Sequence, residues 1–218
     1  PAKVAGTWRF DQGDVTLMQD VQTIKGSMTV KRDSETVPLS GPRLRGDQKS
    51  RPLDDLVAEA EALAAAGVRE LNLIGQDTTA WGTDLGGGLE LADLLLALDQ
   101  VEGITWIRVH YTYPRLWSDR LIETWARAKR VVPYVDMPLQ HIADDMLRTM
   151  ARGMTGRATR ALVRQIKAGI PDLSFRTNFI VGFPGETEDD FAILLDWLAE
   201  ARLTRVGCFK YEDVDGAG

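Results

Sequence analysis

Apolar and polar positions along the chain fall into two regimes, divided near residues 42 to 50. Before the divide, apolar residues alternate with polar ones over short runs. These are Trp8 and Phe10, Val15 and Leu17, then Ile24, Met28 and Val30, then Val37 and Leu39. Gly13, Gly26-Ser27 and Asp33-Ser34 punctuate the runs. A period of two broken by turn residues predicts a meander of short antiparallel strands. About 40 residues are few for an independent core, so the meander needs something to pack on.

Beyond Pro52 the period lengthens. Leu53, Leu56, Val57, Ala60, Leu63 and Ala64 share one helical face, and Gly67 stands where a C-cap glycine belongs. The run over 70–75 then reads as a buried strand. The alternation repeats with a helix over 89–98, a strand over 106–110, a helix over 121–128 and a strand over 131–136. Helices over 144–150 and 158–168, a strand over 174–181, a helix over 189–201 and a strand over 205–210 complete it. Strands alternating with helices predict an α/β fold with a parallel sheet, either doubly wound or a partial (β/α) barrel.

The most informative tract runs over 177–191. Phe175, Phe179, Ile180 and Val181 are β-favouring and apolar, and the chain then turns through Gly182, Pro184 and Gly185. Thr187 with Asp190 three residues on, and Glu188 and Asp189 between them, is helix-start chemistry. A strand that opens through glycines into a helix is where α/β proteins place ligands. The glycines let backbone amides come close to a bound molecule.

Composition narrows the picture. With 44% hydrophobic residues among 218, the chain can bury a real core. A net charge of -6 argues against a dedicated nucleic-acid surface. The absence of a long apolar run or signal-peptide pattern gives a cytoplasmic protein with no membrane partner as the expectation. The single cysteine, Cys208, rules out an internal disulfide and any multi-cysteine metal site built from this chain.

Polar residues gather at the predicted C-terminal ends of the strands. They are Gly75-Gln76-Asp77-Thr78-Thr79, His110-Tyr111-Thr112, Asp136 with Gln140-His141, Arg176 with Asn178, and Lys210-Tyr211. Strand ends of this kind form the ligand face of parallel sheets. Loops are also polar simply because they are solvated, but Arg176 and Asn178 lie within a strand, which favours a ligand site. His141 reads first as a hydrogen-bonding group that supports its neighbours, and His110 as a strand end capping the core. Arg152 and Arg157, beside Gly153 and Gly156, are either anion holders or solvated helix ends. Cys208 is expected to be a small buried hydrophobe, and the six tryptophans are expected to pack.

Several tracts carry a family likeness: Pro42-Arg43-Leu44-Arg45-Gly46 with Ser50-Arg51-Pro52, Gly75-Gln76-Asp77-Thr78-Thr79, Pro138-Leu139-Gln140-His141, Met150-Ala151-Arg152-Gly153, and the glycine tract. From Pro42 onward the chain resembles the radical S-adenosylmethionine (SAM) core of the methylthiotransferases. Gln-Asp-Thr-Thr and Gln-His resemble the branch that modifies an aspartate of a small-subunit ribosomal protein; the transfer-RNA branch is the alternative. The resemblance implies a partial (β/α) barrel over 42–218, preceded by a β-rich segment over 1–41. It also implies a SAM cofactor and a [4Fe–4S] cluster, with the protein orienting chemistry that the cofactors supply. By family position, Gln76, Asp77, Gln140, Arg176, Asn178 and the turn of Gly182, Pro184 and Gly185 surround SAM.

The resemblance breaks at the cluster. The family binds it through Cys-x3-Cys-x2-Cys just ahead of Pro-x-Leu-Arg-Gly, and thiolate is the expected ligand. Counted back from Pro42, those positions hold Arg32, Thr36 and Leu39. Asp33 and Glu35 match neither the softness nor the spacing required. No metal ligand set and no catalytic residue is assigned. Three readings remain: a methylthiotransferase core inactive as it stands, a non-catalytic module that binds SAM or a protein partner, and a distinct non-radical enzyme that uses the same sheet.

Overall fold

The computed structural model describes residues 49–213 in full and, ahead of them, the backbone of four strands. Strands β1 (Gly6–Phe10), β2 (Gly13–Asp20), β3 (Thr23–Val30) and β4 (Thr36–Ser40) pair antiparallel in chain order. Trp8 stands opposite Val15, and Met28 opposite both Val15 and Val37. This is the expected meander. Arg32, Asp33 and Glu35 and the 42–46 tract lie outside the described residues. The chain divides into two units, Lys49–Tyr211 and the segment Pro1–Gln48 with Glu212–Gly218.

In the larger unit, β5 (Glu70–Leu73), β6 (Trp106–Val109), β7 (Val131–Asp136), β8 (Ser174–Val181) and β9 (Arg205–Lys210) form one wholly parallel sheet. Their spatial order is their chain order. A doubly wound sheet reverses direction at a switch point; this one does not, so its winding is that of a barrel wall. Helices α1 (Leu53–Ala65), α2 (Leu91–Leu98), α3 (Asp119–Arg127), α4 (Asp144–Thr149), α5 (Gly156–Gly169) and α6 (Glu188–Ala201) connect the strands.

The period of two separates the two faces of the sheet. Leu71, Ile107, Val109, Val135, Phe175 and Phe179 are buried on one face with Leu95, Trp125, Ile166 and Trp197 of the helices. Trp125 stacks on Trp117 at 5.1 Å, and Trp197 meets Phe179 edge-on, so these three tryptophans pack as expected, whereas Trp106, 53% exposed, departs from that expectation. The alternate positions, including Asn72, Arg108, Tyr134 and Arg176, point to the opposite face. Cys208 corrects the expectation of burial: it is exposed. It pairs in register with buried Phe179, but β9 is an edge strand and no helix follows it among the described residues. Val206, two residues earlier, is 45% exposed for the same reason. No helix among the described residues is long and apolar enough to cross a membrane.

Side chains close the helix starts. Ser118 and Thr155 accept from the backbone N–H groups of Leu121 and Ala158. Thr187 and Asp190 form a reciprocal capping box at α6. The Asp190 carboxyl is held below its ordinary range, first by the Thr187 hydroxyl and then by the Thr187 backbone N–H, against a small opposing effect of burial. A carboxyl lowered on folding stabilises the fold above its unfolded range, and that contribution disappears as pH falls through the folded value. Thr187→Ala is therefore expected to lose about 1 kcal/mol at neutral pH. The gap from the parent should narrow at about pH 3. Urea unfolding at both pH values checks this; an unchanged gap would contradict it.

Candidate functional site

Parallel register brings three strands together at one buried carboxylate. Asp136 ends β7 and pairs in register with Arg176 of β8. Arg176 Nη1 donates to Asp136 Oδ1 at 2.7 Å, and His110 Nδ1, just past β6, donates to Asp136 Oδ2 at 3.1 Å. Asp136 is 1% exposed, whereas Arg176 and His110 are partly open. A carboxyl group this deep is costly to bury without charged or hydrogen-bonding partners, and it has both. The Asp136 carboxylate in turn holds the Arg176 guanidinium above its usual range. The remaining guanidinium N–H groups of Arg176 stay available to an anionic ligand.

Arg176 and His110 line an open cleft of about 660 Å³ on the polar face of the sheet, together with Asn72, Tyr134, Ser174 and Arg205, with Asp136 buried behind them. Burial, followed by the charge of Asp136, pushes the Tyr134 phenol up. Arg108 lies over the Tyr134 ring at 5.0 Å and pairs with Glu70 at 2.9 Å. Asn178 follows Arg176 two residues on, so it shares this face. Gly207 stands opposite it in β9, where an added Cβ would overlap Asn178 Oδ1. The absence of a side chain at Gly207 leaves that space to the amide oxygen.

The loop after β7 is fixed to β8 by backbone bonds. Gln140 N–H donates to the Asn178 carbonyl and Ile180 N–H to the Gln140 carbonyl, both at 2.9 Å. Gln140 holds φ 69 there, a left-handed conformation that few residues other than glycine adopt. Arg152 braces the same loop: its Nη2 donates to the Pro138 carbonyl at 2.7 Å and its guanidinium lies 4.5 Å from the Tyr113 ring centre. Burial lowers its pKa. Arg152 thus braces this loop, while Arg157 is exposed at the start of α5.

His141 controls the glycine turn. It is fully buried, and its Nδ1 accepts from the Ala143 N–H at 3.1 Å. The ring proton therefore sits on Nε2, which donates to Glu186 Oε1 at 2.9 Å. The other Glu186 oxygen accepts the Gly182 N–H. Gly182 and Gly185 have φ 71 and 90, and an added Cβ at Gly182 would meet nothing within 4 Å. The turn needs glycine for its backbone and leaves space above it.

Of the residues singled out from sequence, Gln140 is bonded to Asn178 past the end of β7, Arg176 lies two residues before Asn178 on the same face of β8, and the Gly182–Pro184–Gly185 turn follows the end of that strand. Gln76 and Asp77 lie past the end of β5; Gln76 is exposed, and Asp77 accepts from the Thr79 hydroxyl. Thr79 also accepts from the Tyr113 N–H at 2.8 Å, tying that tip to the β6 tip. Asp136 as the hub and Glu186 as the partner of His141 were missed from sequence. His110, expected only to cap the core, faces Asp136. The one available signal was an acidic residue closing a buried strand.

The arrangement has a carboxylate-backed guanidinium that lines the cleft, an amide two residues further along the same strand face, and a glycine turn after the strand. That set can hold a zwitterionic ligand with an anionic group and a flat polar ring system. A family model, described as the radical SAM superfamily, matches residues 29–198. Ribosomal protein uS12 methylthiotransferase RimO of Myxococcus xanthus is 49% identical over 175 residues, 80% of this chain and 37% of its own length. The protein of that name from Sorangium cellulosum is 50% identical over 182 residues, covering 81% and 37%. That of Opitutus terrae is 40% identical over 230 residues, covering 95% and 49%. The chain thus spans half or less of these relatives. Among solved structures, coproporphyrinogen III oxidase (HemN) from Escherichia coli, titled a radical SAM enzyme, superposes with TM-score 0.56 at 18% identity, over 74% of this chain and 38% of its own. The radical SAM methyltransferase TsrM from Kitasatospora setae gives 0.58 at 20%, over 73% and 29%. Those two likenesses concern the fold, which they share with the parallel wall built here. With most of its length matched by the family model and the barrel winding in place, the chain belongs to the radical SAM superfamily.

Proposed function

We propose that the Lys49–Tyr211 unit is the SAM-binding core of a methylthiotransferase whose substrate is an aspartate of ribosomal protein uS12. The observation that carries this reading is the Asp136–Arg176 pair with Asn178 on the same face of β8, a strand that runs on into a glycine turn. The curated relatives bear that activity in their names, and the matching tracts include the Gln76-Asp77-Thr78-Thr79 and Gln140-His141 pairs. The reaction class is replacement of a carbon-bound hydrogen by a methylthio group, and the cofactors supply that chemistry.

SAM fits the residues present. Arg176 offers free N–H donors for its carboxylate, Asn178 and Gln140 offer amides, and the open space above Gly182 admits close approach to the adenosyl part. Asp136 orients Arg176 through its hydrogen bond, and His141 holds the turn through Glu186. The cytoplasm, where ribosomes assemble, is the setting this reading implies. The [4Fe–4S] cluster does not fit. The sequence has one cysteine, and no group of three or more His, Cys, Asp or Glu side chains among the described residues is placed to hold a metal ion.

Calorimetric titration of the full chain with SAM tests the binding reading. Saturable binding is expected, weakened about tenfold by Asn178→Ala, equivalent to about 1.4 kcal/mol. No heat at millimolar ligand would overturn it. Gly207→Ala supplies a second check, because its Cβ, on the same face as Asn178, displaces that amide while leaving the Asn178 side chain intact. It is expected to weaken SAM by a similar factor while changing folding stability by less than about 1 kcal/mol. Unchanged affinity in both variants would remove Asn178 from the site.

A further inference from the structure

The donor chemistry of this chain disagrees with the family's radical chemistry. A four-iron cluster is held by thiolates, and the sequence contains one cysteine and two histidines. Cys208 lies on β9 beside Phe179, a residue of the helix-packed face, and so on the side of the sheet away from Asp136, Arg176 and Asn178. Both histidines are already committed, His110 to Asp136 and His141 to Ala143 and Glu186. Residues 1–48 contain no cysteine or histidine at all. Two of the three positions where the family's thiolates would fall, Thr36 and Leu39, belong to β4, paired with Thr29 and Gly26 in an antiparallel sheet and not part of a binding loop. Carboxylates from the same segment are hard oxygen donors and do not replace three thiolates.

The half of the site that meets SAM is nevertheless complete in its internal bonding. Asp136 is satisfied by two strands, and Gln140 is locked to β8 on both sides. The turn is held through Glu186 by a buried histidine. We infer that this chain, by its own residues, holds SAM in a redox-silent site: it binds the sulfonium intact and does not cleave it. This rests on the proposed SAM site, and its failure is separable from the failure of that site.

The test uses the full chain in two arms. In the first, the protein is treated anaerobically with ferrous iron and sulfide, desalted, and assayed for iron, sulfide, visible absorbance and, after dithionite, electron paramagnetic resonance. Iron far below one per chain and no reduced-cluster signal are expected. Stoichiometric iron with sulfide overturns the inference, including iron that vanishes in Cys208→Ser, which would mean a cluster shared between copies. In the second arm, SAM affinity is measured before and after that treatment and after a chelator. Equal affinity in all three states is expected; affinity that rises with iron overturns the inference. Absence of SAM binding in every state overturns the site itself and, with it, the inference, whatever the iron result.

Discussion

Arg176→Ala is expected to cost the larger unit about 2–3 kcal/mol of stability. Breaking a buried ion pair by removing one partner leaves the other charge stranded, at a cost of about 3–5 kcal/mol when both are fully buried. Here Asp136 is 1% exposed but the Arg176 side chain is 35% exposed, so solvent screens part of the loss. The His110 N–H still reaches the carboxylate. The expected signature is a lower urea midpoint at unchanged slope. Adding Asp136→Asn to Arg176→Ala removes the stranded charge and should recover part of the loss. Arg108→Ala is the control. Its pair with Glu70 lies on the same face but is about a third exposed at both ends, and it should cost less than about 1 kcal/mol. Equal effects from the two arginines would show that Asp136 does not act as a hub.

His141→Ala is the second large expected effect, at about 2–4 kcal/mol. The substitution leaves a cavity at a fully buried position and deprives a nearly buried Glu186 carboxylate of its ring N–H partner. It also frees the Ala143 N–H. His141→Gln restores a donor toward Glu186 and should recover part of the loss. A global loss alone would not identify the turn as the target, so the decisive readout is local. Amide exchange at Gly182 should quicken in His141→Ala under conditions where Ile107, in the centre of the sheet, stays protected. Uniform acceleration at both amides would mean that His141 is a packing residue with no particular hold on the turn.

Much of this wall can be read from the order of residues. The strands over 131–136, 174–181 and 205–210 begin and end where the alternation places them. Thr187 and Asp190 cap α6 as the spacing indicates. Helix ends shift by one or two residues; Ser118 and Thr155, for example, start α3 and α5 earlier than the apolar face does. Between a doubly wound sheet and a barrel wall the alternation cannot choose, because both use the same local pattern; the chain-order pairing of five strands does.

The site was legible as a set of polar strand ends and not as a network. Arg176 and Asn178 stood out because a charged residue and an amide interrupt an apolar strand. Asp136 did not, because its importance depends on the register of β7 against β8, a contact 40 residues apart in sequence. The link from His141 to Glu186 spans 45 residues and is equally invisible locally. Cys208 was misread because burial in a strand depends on what covers its face, and on this edge strand the described residues supply no cover.

The left-handed backbone of Gln140 gives an experimental separation that ordinary positions deny. At most residues, replacement by glycine confounds loss of a side chain with loosening of the chain. At φ 69 a side chain is itself the conformational burden, so Gln140→Gly relieves the backbone while deleting the amide. Any loss of affinity in that variant, set against a fold that stays as firm or becomes firmer, would then report on the amide alone.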